Sequence, residues 1–270
     1  MERPRLVASD IDGTLIGLDN RVSERTAAVV RRVIGSGTPF VLVTGRPPRW
    51  VSMIAEQVGT TGFVVCANGA ALYDVGEDRV VWQRGLEPVL LSDLAEALRE
   101  AIPDVAFASE RVGATAHDDR VRPFVAERTY RHPWIDSDDV EVPLAEVLGR
   151  TAVKLLAQHD TMTSAEMALA AEAVLGEEVV VTFSTNSGLV ELSAAGVTKA
   201  TGLADVAERA GVPREDVVAF GDMPNDVPML TWAGHGVAMA NAHAEARAVA
   251  DEVTAQHTDD GVALVLERWF

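Results

Sequence analysis

A chain ends a buried apolar run in two carboxylates only where the fold gives those charges a task, and Leu6-Val7-Ala8-Ser9-Asp10-Ile11-Asp12-Gly13-Thr14-Leu15 does so. Such a run reads as a strand inside a sheet, and open α/β sheets bind ligands beyond the carboxyl ends of their strands. Gly13 lets the backbone turn sharply away, which leaves Asp10 and Asp12 free to share one small site. A calcium-binding EF-hand loop is excluded, because its glycine and glutamate positions are held by Leu15 and Arg21. Taken alone, the segment is also compatible with a surface turn rich in aspartate.

A second segment of the same style, Val217-Val218-Ala219-Phe220-Gly221-Asp222-Met223-Pro224-Asn225-Asp226, lies far downstream. If Asp10, Asp12, Asp222 and Asp226 converge, each like-charge pair at ~4 Å costs on the order of 4 kcal/mol at an effective dielectric near 20. A divalent cation resolves that repulsion. Neither segment offers histidine or cysteine, and an all-oxygen ligand set favours Mg²⁺ over Zn²⁺.

Beside these segments stand Thr44-Gly45-Arg46 after the apolar run Phe40-Val41-Leu42-Val43, and the isolated Lys199. The chain carries 21 arginines but only two lysines, Lys154 and Lys199. A compact ammonium fits against closely spaced carboxylates more readily than a planar guanidinium does.

Asp10-Ile11-Asp12-Gly13-Thr14-Leu15, Thr44-Gly45-Arg46, Lys199 and Gly221-Asp222-x-x-Asn225-Asp226 together resemble the four motifs of the haloacid-dehalogenase-like phosphohydrolases, in the expected order. Finer features resemble the Cof-type branch: Asn68-Gly69-Ala70, Gly196-Val197-Thr198-Lys199, Val237-Ala238-Met239-Ala240-Asn241-Ala242 and Asp260-Gly261-Val262-Ala263. The resemblance covers roughly residues 5–83 and 188–266 and is loose between them. It implies a Rossmann-like, doubly wound parallel sheet with helices on both faces and an inserted α+β cap domain. The expected division is a catalytic core of residues 1–84 and 188–270, with a substrate-selecting cap at 85–187.

The local patterns agree with that architecture. Ser23 is placed to cap a helix running to about Ile34, Phe63-Val64-Val65-Cys66 reads as a third buried strand, and Pro47-Pro48 opens the following helix. In the middle segment the spacing of Leu91, Leu94 and Leu98 predicts a helix. Strands are expected near Val105–Phe107, Val153–Leu156 and Val179–Phe183, with a helix over Thr163–Leu175.

The resemblance implies roles residue by residue. Asp10 is the nucleophile that forms an aspartyl-phosphate, and Asp12 protonates the leaving oxygen and later activates water. Thr44, with Gly45 and Arg46, holds phosphoryl oxygens; Lys199 neutralises both Asp10 and the phosphoryl group. Asp222 ligates Mg²⁺ with Asp10 and the backbone carbonyl of Asp12. For Asn225 and Asp226, contact with phosphate, with Lys199 or with a metal-bound water all stay open, and Asp226 also suits the start of a helix. Lys154 reads as a solvated strand lysine of the cap, and it is the first cap candidate to reach a substrate anion. Trp134 and Trp232 read as packing residues, with substrate stacking an alternative for Trp134.

Composition bounds the remaining classes. A formal charge of −18 disfavours nucleic acid and anionic membranes as partners, since no basic patch offsets it. No run approaches the roughly 20 apolar residues of a membrane span, and the N-terminus leads straight into a strand, so a cytoplasmic enzyme is expected. Cys66, the single cysteine, excludes an intramolecular disulfide and reads as a packing residue. No Walker loop, nucleophile elbow or zinc-spaced histidine pair is present. The leading expectation is an Mg²⁺-dependent phosphatase of a small soluble phosphomonoester such as a sugar phosphate, phosphorylated cofactor or nucleotide. A phosphomutase and a non-catalytic phospho-ligand binder are the alternatives, and oligomeric state is open.

Overall fold

The structure is a computed structural model that describes residues 2–17, 19–131 and 140–270. Trp134 lies outside the described residues. Two compact units are present, one formed by Met1–Val81 with Thr198–Phe270 and the other by Trp82–Val197.

The first unit begins with strands β1 (Leu6–Ser9), β2 (Phe40–Val43), β3 (Phe63–Cys66), β4 (Ala71–Asp74) and β5 (Arg79–Gln83), the last crossing the boundary between units. Every residue of β1 and β2 is buried, as expected of strands covered on both faces. Helix α1 (Glu24–Gly35) follows β1, with Ser23 accepting a 3.0 Å hydrogen bond from the Thr26 amide at its N-cap. Its buried side chains Thr26, Ala27, Val29, Val30 and Val33 recur at helical spacing, so one stripe faces the core. Pro48 opens a short 3₁₀ turn at Pro48–Trp50 before α2 (Ser52–Val58), a tighter start than the continuous helix expected.

The second unit contains α3 (Pro88–Ala101), β6 (Ala106–Glu110), β7 (Phe124–Ala126), β8 (Val140–Glu141), α4 (Leu144–Leu148), β9 (Lys154–Gln158), α5 (Ser164–Leu175), β10 (Val179–Thr182) and β11 (Leu189–Ala194). Its six strands lie in the order β10-β11-β9-β6-β7-β8 and pair antiparallel except β7 with β8. The unit reaches past the expected boundary at 187 to Val197, because β11 pairs with β9 in register Leu189 to Gln158. Residues from 188 onward are expected in the core, and it is the pairing of β11 with β9 that assigns this strand to the second sheet.

Lys154 is not a solvated lysine. It sits on β9, flanked by β11 and β6, is 5% exposed, and its Nζ lies 2.6 Å from Glu191 Oε2. The Ser184 hydroxyl donates to the other Glu191 oxygen at 2.8 Å. A strand with neighbours on both sides carries this ammonium into a buried ion pair, which the local sequence cannot signal.

The chain then returns to the first unit through α6 (Lys199–Ala210), β12 (Val217–Gly221), α7 (Val227–Trp232), β13 (His235–Ala238), α8 (Ala244–Val249), β14 (Glu252–Val253) and α9 (Gly261–Leu266). Trp232 is half-buried at the end of α7. The eight-stranded sheet has the order β14-β13-β12-β1-β2-β3-β4-β5, with β1 paired in parallel to both β12 and β2. The order therefore reverses direction at β1, and the crevice beyond the carboxyl ends of β1 and β12 is the topological switch point. Asp10 and Asp222 each stand one residue past the end of these two strands.

Candidate active site

The parallel register of β1 and β12, Ser9 opposite Phe220, is what brings residues more than two hundred positions apart to one place. Asp10 continues that pairing by donating its amide to Phe220 O at 3.0 Å. Beyond it the chain turns at Gly13, whose φ is +78° and where a Cβ would stand 2.3 Å from Asp222 Oδ2. Glycine is required there for two reasons, the left-handed backbone and the close approach of the acid. The Thr14 hydroxyl, carried round by that turn, donates to Asp222 Oδ1 at 2.9 Å.

Lys199 is the first residue of α6, and Thr198 caps that helix in a reciprocal arrangement with Thr201. The helix start is set against the Asn68-Gly69 turn so tightly that a Cβ on Gly69 would fall 2.0 Å from Thr198 O. Asn68 itself holds a left-handed conformation, φ 57°, which asparagine tolerates better than most residues. The consequence is a fixed, fully buried ammonium: Lys199 Nζ lies 2.6 Å from Asp10 Oδ1 and 2.6 Å from Asp226 Oδ1.

Asp226 uses its second oxygen to accept both the Asp222 and Met223 amides, each at 2.9 Å. It thereby contacts Lys199 and the Asp222 loop together. Asn225 donates to Asn68 Oδ1 at 3.1 Å, and its own Oδ1 is buried without a hydrogen-bond partner. Pro224–Asp226 form a single 3₁₀ turn that leads into α7.

The expected convergence of four acids is corrected to three. Asp10, Asp222 and Asp226 are buried and each offers an oxygen within 4.8 Å of the others. The Asp12 side chain is instead 56% exposed, because Arg46 holds it in a bidentate pair, Nε to Oδ2 at 2.8 Å and Nη2 to Oδ1 at 2.5 Å. The same Nη2 reaches Asn20 Oδ1 at 2.6 Å. Thr44, fully buried after β2, accepts the Arg46 amide at 3.0 Å through its hydroxyl, which shapes the Thr44-Gly45-Arg46 turn. A Cβ on Gly45 would meet Asn68 Oδ1 at 3.1 Å, so that turn and the Asn68 turn are packed edge to edge.

With Lys199 counted, three carboxylates and one ammonium leave this buried cluster two negative charges in excess. Burial is the largest influence on Asp10 and pushes its carboxyl well above the usual range; Lys199 opposes this, while Asp226, Asp222 and Asp12 add to it. Burial, aided by Asp226, raises Asp222 to about 7 against the pull of the Thr14 hydroxyl and Lys199. Burial lowers Lys199, yet Asp10 and Asp226 outweigh it and hold the ammonium firmly charged. Protons taken up by such a site compete with a divalent cation for the same oxygens. The donor set is wholly oxygen and closely spaced, which fits Mg²⁺.

Three contributors had no role assigned from sequence. Thr14 lies inside the first motif, and Asn68 and Asn241 lie inside the Cof-type motifs. The Asn241 amide donates to Gly13 O at 2.9 Å and reaches within 3.5 Å of Asp222 Oδ2.

A family profile described as haloacid dehalogenase-like hydrolase matches residues 7–266. A 5-amino-6-(5-phospho-D-ribitylamino)uracil phosphatase of Bacillus subtilis is 31% identical over 99% of this chain and 98% of its own length. An HMP-PP phosphatase of Serratia proteamaculans is 26% identical over 98% of this chain and 95% of its own. Among solved structures, a haloalkanoate-superfamily phosphatase of Bacteroides thetaiotaomicron superposes with a TM-score of 0.79 at 25% identity, covering 98% of this chain and 94% of that one. A haloacid dehalogenase-like hydrolase of Bacillus subtilis shares the fold with a TM-score of 0.81 at 23% identity, covering 98% and 100%. The profile and the relatives span the segments whose strand ends gather the acids, and the chain belongs to the haloacid dehalogenase-like hydrolase family, in its Cof-type branch, as a phosphatase.

Proposed function

We propose that the protein hydrolyses a small soluble phosphomonoester with Mg²⁺ as cofactor, through an aspartyl-phosphate on Asp10. The observation that carries this reading is the buried Lys199 ammonium at 2.6 Å from both Asp10 and Asp226, with Asp222 in the same cluster. Asp10 and Asp222, with the Asp12 backbone carbonyl, would hold Mg²⁺, which would supply positive charge to keep both acids ionised and to neutralise phosphoryl oxygens.

The chain's residues divide the remaining work. An Asp10 oxygen attacks phosphorus and the bond from phosphorus to the leaving oxygen breaks, with Asp12 giving that oxygen its proton. Water then attacks the phosphoryl group, Asp12 takes up a proton from it, and the bond to Asp10 breaks, releasing inorganic phosphate. Splitting one difficult displacement into two lowers each barrier. Lys199, the Thr44 hydroxyl and the backbone amides of its turn face the phosphoryl oxygens, where fixed donors stabilise the charge that develops in the transition state. Arg46 orients Asp12 and stands ready to share the phosphate. Asp226 and Asn225 hold Lys199 and the Asn68 turn in place.

Choice of leaving group is assigned to residues 82–197, in which Lys154 is a structural ion pair more than a substrate contact. Because relatives act on a phosphorylated ribitylaminouracil and on HMP-PP, those compounds head the substrate panel, followed by sugar phosphates and nucleotides. The test is phosphate release across that panel, with Mg²⁺ and with EDTA. Phosphate release that needs Mg²⁺ supports the reading, and isomerised sugar phosphate without net release would replace it with a phosphomutase.

A further inference from the structure

Asn241 lies in the turn after β13, and its side chain is exposed. An exposed asparagine ordinarily keeps its amide in water, since fixing a rotamer costs entropy. Here every polar atom of the side chain is engaged. Nδ2 donates to Gly13 O at 2.9 Å and comes within 3.5 Å of Asp222 Oδ2. Oδ1 accepts from the His257 amide at 3.1 Å and lies 3.2 Å from His257 Nδ1. The His257 ring in turn packs on Gly17, where a Cβ would stand 3.0 Å from Nε2. One amide therefore joins the loop that carries Asp10, the Asp222 carboxylate and the turn that precedes α9.

The arrangement complements that of Thr14. Thr14 holds Asp222 Oδ1, and Asn241 approaches Oδ2, so each oxygen of this acid has a neutral donor beside it. Neutral donors fix direction without competing for charge; a lysine or arginine at 241 would pair with Asp222 and oppose a cation. The bond to Gly13 O matters as much, since it fixes the Gly13–Thr14 peptide, the next one along from the Asp12 carbonyl.

We propose that Asn241 is a positioning residue, held by His257, that locks the Gly13 peptide against the Asp222 carboxylate and thereby sets the affinity of the site for its divalent cation. The proposal rests on the reading of Asp10 and Asp222 as cation ligands. Groups that orient metal ligands typically govern 10- to 100-fold in affinity. Asn241 has two anchors, the His257 backbone and the His257 ring, so losing the ring leaves one and weakens the hold without abolishing it.

The experiment is calorimetric titration of Mg²⁺ into the substrate-free protein, with melting curves in EDTA for each variant. Asn241→Ala should bind Mg²⁺ about 10- to 100-fold more weakly, with its metal-free melting temperature held. Asn241→Asp should lose at least as much, because it substitutes a carboxylate for the amide donor near Asp222. His257→Ala should shift affinity in the same direction by less. The double variant Asn241→Ala/His257→Ala should be no weaker than Asn241→Ala, since the histidine acts through the asparagine. In turnover, saturating Mg²⁺ should restore most of the Asn241→Ala kcat.

Mg²⁺ affinity within about twofold of wild type in Asn241→Ala, or full additivity in the double variant, overturns the proposal. Wild-type protein that binds no Mg²⁺ overturns the cation reading itself, and that outcome is separate from the first because it appears before any substitution is made.

Discussion

Replacing Lys199 with methionine removes the positive charge from a fully buried group while nearly conserving its length. The ammonium makes two contacts of 2.6 Å, to Asp10 and Asp226, and its side chain is 0% exposed. Truncating one member of a buried ion pair costs about 3–5 kcal/mol, because the partner charge is left uncompensated. For a unit of this size that corresponds to a fall in melting temperature of about 6–20 °C in EDTA. The loss should shrink at acidic pH, where Asp10 and Asp222, already raised by burial, protonate and relieve the repulsion.

Activity should fall further than stability alone explains, by about 10²- to 10³-fold in kcat, the usual worth of one fixed charge or donor at a developing oxyanion. Lys154→Met is the matched comparison, since that lysine is also buried and paired at 2.6 Å, with Glu191. It should destabilise the protein while leaving kcat within about tenfold of wild type. Phosphate release at saturating substrate and Mg²⁺, with calorimetric melting of each variant, reads both quantities. A Lys199→Met enzyme that keeps kcat within about tenfold of wild type would refute the reasoning. So would a Lys154→Met enzyme that loses as much activity as Lys199→Met.

Asp10→Asn should abolish turnover yet raise metal-free stability, because it deletes one like charge from the acid cluster; a melting temperature in EDTA below wild type contradicts this. Gly13→Ala should lose both Mg²⁺ binding and activity, since the added Cβ meets Asp222 Oδ2 at 2.3 Å on a backbone of φ +78°; unchanged Mg²⁺ titration would count against the loop's role. Burial first, then Asp226, raises Asp222 to about 7 from 3.8, so in the metal-free protein its favourable contribution is complete below the unfolded value and declines as pH rises toward 7. Mg²⁺ displaces that proton, and its affinity should therefore climb between about pH 5 and pH 7 and then level off, which titrations across that range will show. EDTA should remove activity and Mg²⁺ restore it, while Ca²⁺, a larger ion that takes more oxygen ligands, should support little turnover.

The sequence by itself determined the strands and the chemistry they end in. Apolar runs at 6–8, 40–43 and 217–220 have no polar face to choose, so their burial followed from composition. The acids and glycines placed after the first and last of these runs pointed to a candidate site, and Lys199, at the head of α6, entered it through the resemblance. Sequence could not decide what depends on pairing between distant segments. β11 joined the second sheet through its register with β9, and the same pairing placed Lys154 beside Glu191 instead of in water.

Arg46 and Asp12 stand far enough apart in the chain that only the fold reveals their bidentate pair, which left three acids in the cluster where four were expected. Asn241 lies 2.9 Å from the Gly13 carbonyl across 228 positions of sequence. Local pattern reports which side chains an element buries, whereas a contact between two elements is fixed by the free energy of packing them together, and only the tertiary structure holds that information.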